Sequence, residues 1–142
     1  YVVTTKKGDV KGAMVASWIA QASLQPLGFT VAIAKERGIE SSLQIGDKFV
    51  LNVLEEGNYH DLKKHFLKRL LPGVDRFEGV KTQTAKNGSP ILTDALEYME
   101  CEVKTSMECS DHTLLYCTVD EGRISDPDGI TAVRHRKVGT YY

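Results

Sequence analysis

The residues best suited to chemistry fall into four places along this chain. Ser17, Trp18, Gln21 and Ser23 lie together in the stretch A-S-W-I-A-Q-A-S at residues 16–23. Lys35, Arg37, Ser41 and Ser42 follow a long apolar run. Asn52 sits inside the apolar segment F-V-L-N-V-L. Asp111 and His112 are adjacent in C-S-D-H. Ser17 and Ser23 are candidate nucleophiles by type. Neither lies in G-x-S-x-G, and no local His and Asp pattern serves them, so hydrolysis is set aside. Two cations and paired hydroxyls in one loop suit a phosphate. The loop lacks G-x-x-x-x-G-K-[ST], so it is not a P-loop. A buried Asn needs partners, either backbone or the polar edge of a ligand. A turn histidine can meet a ligand, and a neighbouring carboxylate can tune it.

The stretch from Lys11 to Lys35 is the organising one. Ala16, Ser17, Ala20, Ala22 and Ser23 are small, and the chain's single tryptophan stands among them. A backbone without bulky side chains lets a ligand reach its N–H groups. A flat aromatic beside those groups predicts a flat ligand, with a flavin as the first candidate.

No metal site is expected. Cys101, Cys109 and Cys117 are the only cysteines and form no C-x-x-C. They read as reduced structural thiols, which places the protein in the cytoplasm. Clustered Cys and His at zinc spacing are lacking. His60 and His65 point to different helix faces. Glu55-Glu56 and Asp126-Pro127-Asp128-Gly129 lack a calcium-loop pattern.

The elements that must position these residues are mostly strands. Residues 2–5, 10–17 and 27–34 read as strands, with a Gly-Asp turn after the first. Residues 43–46 read as a short helical turn, and Lys48 to Leu54 as the clearest strand. His60 to Leu71 reads as an amphipathic helix with Leu62, Phe66, Leu67 and Leu70 as its apolar stripe, closed by Pro72-Gly73. Its wet face carries Lys63, Lys64, Lys68 and Arg69. Residues 89–92 read as an edge strand, where Pro is tolerated. Residues 95–105 alternate, with Met99, Cys101 and Val103 inward against Glu100, Glu102 and Lys104 outward. Residues 113–120 pair with them as a hairpin. One helix and six or seven strands favour a barrel or sandwich with a helix packed across it.

Bulk properties bound the rest. The chain has 142 residues, 42% apolar and 26% charged, with a net charge of −1. That is a globular composition, and it attracts neither nucleic acid nor an anionic membrane. No apolar run approaches the roughly 20 residues of a spanning helix. The first residue is Tyr1 and not Met. The expectation is one domain over residues 1–142, cut from a longer polypeptide.

Six segments occur in order: M-V-A-S-W-I-A-Q-A-S-L-Q-P, K-x-R-x-I-x-S, F-V-L-N-V-L, L-E-Y-x-E-C-x-V, S-D-H-T-L-L and V-G-T-Y. Together they resemble the flavin reductase family with the FMN-binding split-barrel fold. The A-S-W-x-x-Q-x-S variant and I-G-D-K-F-V-L-N-V-L are most similar to the C-terminal flavin reductase module of the flavodiiron proteins of oxygenic phototrophs. The resemblance implies an all-β, Greek-key split barrel with one or two short packed helices. It implies FMN as cofactor and NAD(P)H as electron donor. The partners implied are flavin and nicotinamide nucleotides, a second copy in a homodimer, and flavodoxin-like and di-iron modules of the parent chain. The alternatives are an FMN-binding module without reductase activity and a stand-alone reductase serving a monooxygenase.

The same resemblance implies residue roles. Ala16, Ser17, Trp18 and Ile19 would line the flavin ring and ribityl chain, and Gln21 and Ser23 would hold its polar edge. Lys35, Arg37, Ser41 and Ser42 match the loop for the FMN phosphate, and Asn52 matches a strand Asn beside the flavin. His112 matches the catalytic His near the nicotinamide, and Tyr141 an aromatic near the family's chain end. Two positions depart from the pattern. Val15 stands where Thr is common, and Ser110 where Gly is common.

Overall fold

A computed structural model of the chain describes residues 1–36, 43–68 and 73–133. In chain order the strands are β1 (Val2–Lys7), β2 (Val10–Val15), β3 (Ile19–Leu24), β4 (Leu27–Ala34) and β5 (Lys48–Val53). Helix α1 (Tyr59–Leu67) follows, then β6 (Thr82–Thr84), β7 (Pro90–Leu92), β8 (Glu97–Cys109) and β9 (His112–Ile124). Seven strands form one antiparallel sheet in the order β2-β1-β5-β8-β9-β4-β3, and β6 pairs with β7 apart from it.

That order forces a barrel. β2 and β3 are the two edges of the sheet, yet the chain passes from Val15 to Ile19 directly. Laid flat, the edges would stand about 29 Å apart at the usual strand spacing. The connecting residues reach about 14 Å at most. The sheet therefore curls until its edges approach, and residues 16–18 bridge the seam. Ala16 N–H donates to Tyr1 O at 3.0 Å, and Ala32 N–H donates to Trp18 O at 3.0 Å. One end of the bridge is tied to β1 and the other to β4.

Alternation along the central strands builds two main cores, beside a smaller cluster of Val50, Ala85 and Ile91. Val3, Phe29, Val31, Phe49, Leu51, Val103 and Leu115 fill the barrel with Cys101 and Cys117. Val2, on the opposite face of β1, joins Leu62 and Phe66 of α1, Phe77 and Leu92 outside it. The helical stripe is thus narrower than expected: Leu62 and Phe66 are buried, while Leu67 is 47% exposed. The helix ends at Leu67, and Lys68 is already extended at ψ 136°. Residues 69–72 lie outside the described residues.

Two strands escaped the sequence reading, β3 and β6. β3 is an edge strand whose Ala20, Gln21 and Ala22 are all exposed, so it shows no alternation to read. Glu100 corrects another expectation. It is 5% exposed and accepts the backbone N–H groups of Lys86 at 3.1 Å and Asn87 at 2.8 Å. Its carboxylate pins the 85–89 turn instead of facing water.

Cys101 and Cys117 are fully buried, and burial pushes the Cys117 thiol up to about 12 and the Cys101 thiol higher still. The thiolate is the reactive form. Native protein is expected to release one equivalent with a thiol-reactive disulfide reagent, from half-buried Cys109, and three after denaturation. Fast labelling of Cys101 or Cys117 in the native state would contradict the burial.

Ser110 adopts φ +41° in the tight β8–β9 turn, the left-handed region that favours glycine. Relief of a side-chain clash of about 1–2 kcal/mol there exceeds the backbone entropy cost of glycine, about 0.5–1 kcal/mol. Ser110→Gly is expected to raise the denaturation midpoint modestly, by about 0.5 kcal/mol of stability. A lowered midpoint would show that the Ser110 side chain is needed.

Candidate functional site

The seam of the barrel holds a cavity of about 310 Å³. Met14, Val15, Ala16, Ser17 and Trp18 line it from the β2 edge and the bridge, and Ala32, Ile33 and Ala34 from β4. Glu36, Asp111 and His112 lie at the β4–β9 end, and Leu67 of α1 at another part of its wall. Ala32 and Ala34 alternate with the core residues Val31 and Ile33. Small side chains outward and bulky ones inward make a shallow floor on a well-packed strand.

The turn between β8 and β9 places the histidine. Ala34 pairs with His112 across the ladder, and Lys35 N–H donates to Asp111 O at 3.0 Å. The His112 ring lies 4.7 Å from the Trp18 ring, centroid to centroid, at 36°. His112 Nδ1 is 2.9 Å from Asp111 Oδ1. The carboxylate only accepts, so Nδ1–H is the donor, and Nε2 has no partner among the described residues. Neither the amide nor the hydroxyl of Ser17 bonds to another described residue.

The hydrogen bond from His112 holds the Asp111 carboxyl below the ordinary carboxylate range, with the charge of the ring adding to it. A depressed carboxyl favours the paired geometry while it is ionised, and that contribution is lost only as pH falls through the depressed value. In a carbon-detected titration, Asp111 is expected to protonate below 3.8, its ordinary value. His112→Ala should bring the midpoint back up. An unchanged midpoint in that variant would remove the pairing.

Of the anticipated site residues, Ala16, Ser17, Trp18 and His112 come together at the cavity. Several others do not. Ile19 packs on the barrel core. Gln21 is exposed on β3. Ser23 Oγ donates to Pro26 O at 2.7 Å and lies 2.8 Å from the Tyr116 hydroxyl, so it braces the β3–β4 hairpin. Lys35 pairs with Glu108 at 2.6 Å and is not in the cavity wall.

Asn52 is the clearest correction. It is fully buried. Its Nδ2 donates to Val2 O and Thr4 Oγ1, both at 3.1 Å, and its Oδ1 accepts Leu92 N–H at 2.8 Å. Those bonds use both amide protons and tie β1, β5 and β7 together in the interior, and the residue is absent from the cavity wall. Arg37, Ser41, Ser42 and Tyr141 lie outside the described residues.

Sequence reasoning passed over Met14, Ala32, Ala34, Glu36 and Leu67 as lining residues. The signal for the alanines was present, as two small residues alternating with Val31 and Ile33 at the end of the strand. Leu67 reads from the sequence as part of the packed helical stripe, which hides its place in the cavity wall.

The cavity suits a planar ring. Its volume is at the lower end for small-molecule sites, enough for a ring system with the rest of a nucleotide outside. The Ser17 amide and hydroxyl, without partners among the described residues, offer donors to a ring edge, and the Trp18–His112 pair offers an aromatic wall. A flavin ring therefore fits the residues present.

A curled antiparallel barrel with a ring-sized cavity at its seam is the architecture of a flavin reductase split barrel. The chain belongs to the flavin reductase like domain family, whose model matches residues 1–140. It is 75% identical over its full length to "Putative diflavin flavoprotein A 2" of Nostoc sp. strain PCC 7120 and 67% identical to "Diflavin flavoprotein A 1" of Synechocystis sp.. It spans about a quarter of the length of these relatives, 24% and 25%. Among solved structures, the NADH:FAD oxidoreductase SgcE6 of Streptomyces globisporus C-1027 superposes with a TM-score of 0.81 at 26% identity. That match covers 92% of this chain and 77% of the other. Among the described residues no helix is long and apolar enough to cross a membrane.

Proposed function

We propose that this chain is an NAD(P)H:flavin oxidoreductase domain that holds FMN with its ring in the seam cavity. The observation that carries the reading is the bridge itself. Small residues leave the Ser17 amide and hydroxyl open beside a ring-sized space that Trp18 and His112 wall. When bound, FMN supplies the electron-pair acceptor for hydride from a reduced nicotinamide. The protein's own part is binding and orientation. Ala16, Ala32 and Ala34 let a ring approach the backbone, and the Ser17 donors fix one edge. His112, locked by Asp111, presents an aromatic face and Nε2 at the mouth. No protein nucleophile is required, in accord with the lack of a triad.

In the parent protein, FMN here would exchange electrons with flavodoxin-like and di-iron modules and, through them, reduce oxygen. The fourfold greater length of the diflavin relatives supports such neighbours. A second copy of the domain in a homodimer would cover the mouth of the cavity. Residues 1–142 form one domain in this reading, and the cytoplasm is its compartment.

Val15 lines the cavity without a hydroxyl, which favours a second reading, a flavin-binding module without its own reductase step. An anaerobic absorption spectrum decides between them. Bound flavin that bleaches on NADH or NADPH supports the reductase. Bound flavin that stays yellow supports the second reading. A colourless protein that takes up no FMN overturns both.

A further inference from the structure

Among the described residues, the wall of the cavity is electrically lopsided. At the β4–β9 end it carries two carboxylates, Glu36 and Asp111. The nearby ammonium of Lys35 is already paired with Glu108 at 2.6 Å. Leu67 belongs to the wall from the α1 side, and the same side chain lines a groove along α1. That groove is bounded by His60, Asp61, Lys63, Lys64 and Lys68, three ammonium groups against one carboxylate. Lys63 is held over the Tyr59 ring at 5.6 Å. Lys64 and Lys68 are exposed and have no ion pair among the described residues.

With the flavin ring in the cavity, a dinucleotide that reaches its mouth meets repulsion at one end of the wall and attraction across Leu67. We propose that the α1 groove takes the phosphate groups of the nicotinamide dinucleotide, with Lys64 and Lys68 as the phosphate-binding residues. This rests on the reductase reading and assigns its second ligand a place. Lysine is a point-charge donor with adaptable geometry, suited to phosphates that arrive and leave each turnover. The interaction is exposed, so salt should weaken it.

The test has a direct arm and a kinetic arm. Adenosine 5′-diphosphate is titrated into the ¹⁵N-labelled chain, with and without FMN. Saturable shifts are expected at the amides of residues 60–68, weakening as salt is raised. K64E/K68E should weaken binding at least tenfold, and K64R/K68R should retain it. In turnover, K64E/K68E should raise KM for the dinucleotide at least tenfold and leave kcat unchanged. Its preference for FMN over riboflavin should also stay as in the wild type. Shifts absent from residues 60–68, or equal affinity in the charge-reversed variant, would overturn the proposal. Loss of the FMN preference would give the groove to the flavin phosphate and overturn it as well. Should the wild type never bleach, the reductase reading fails, while the diphosphate titration still reports on the groove.

Discussion

Asn52→Ala is expected to cost about 3 kcal/mol of stability and leave flavin affinity in the folded protein within about threefold. The residue is fully buried and its amide serves three partners, Val2 O, Thr4 Oγ1 and Leu92 N–H. Thr4 in turn donates to Pro90 O. Truncation strands these groups where water cannot replace the amide. One buried polar group left unsatisfied costs about 1–3 kcal/mol, and the vacated volume adds to that. A midpoint lower by about 10 °C follows for a domain of this size. Thermal unfolding followed by far-ultraviolet circular dichroism measures it, with flavin titration at a temperature where the variant is folded. A variant that keeps its midpoint and loses flavin would make Asn52 a ligand residue and dissolve the structural role.

Ala34→Phe is expected to weaken flavin binding at least 100-fold, about 2.7 kcal/mol, with little change in folding. Ala34 is the last residue of β4, half-buried, and part of the cavity wall. It pairs with His112 in the ladder. A phenyl ring there would occupy much of the 310 Å³ and crowd the Trp18–His112 pair. Aromatic residues are at home in strands, and the side chain points away from the barrel core, so the midpoint should stay within about 1 kcal/mol of wild type. Quenching of added FMN fluorescence reads the affinity. Wild-type affinity in this variant would move the flavin out of the seam.

The two substitutions separate what could be read along the chain from what could not. β4 and β5 carry nearly continuous apolar runs and residues 95–105 alternate, so periodicity located them with the hairpin partner at 113–120; β8 and β9 run further, to Cys109 and Ile124, through exposed residues. The β4 boundaries, Leu27–Ala34, match the expected run. β3 was illegible because an edge strand with both faces open leaves no pattern in its side chains. Glu100 was misread for a related reason. Alternation assigns it to the outer face, and only the turn at 85–89 folding over that face makes the face an interior.

The composition of A-S-W-I-A-Q-A-S was enough to mark a place where backbone lies open, and D-H was enough to mark a histidine paired with a carboxylate. Both properties are local: the absence of side-chain bulk and the adjacency of an acceptor to a ring nitrogen. Which partners share the site was not local. Trp18 and His112 are far apart in sequence and their rings meet only because β4 pairs with β3 on one side and β9 on the other. Leu67 joins them because α1 packs against β2 at the seam. Asn52 shows the converse. Its residue type admitted either a ligand or the backbone, and the register of β1, β5 and β7 around it settled on the backbone. By itself the sequence determined most of the strands, the helix and the open backbone of the bridge. The tertiary structure decided which of the candidate residues line the seam cavity, because curling the sheet turns alternate residues of each strand to opposite sides.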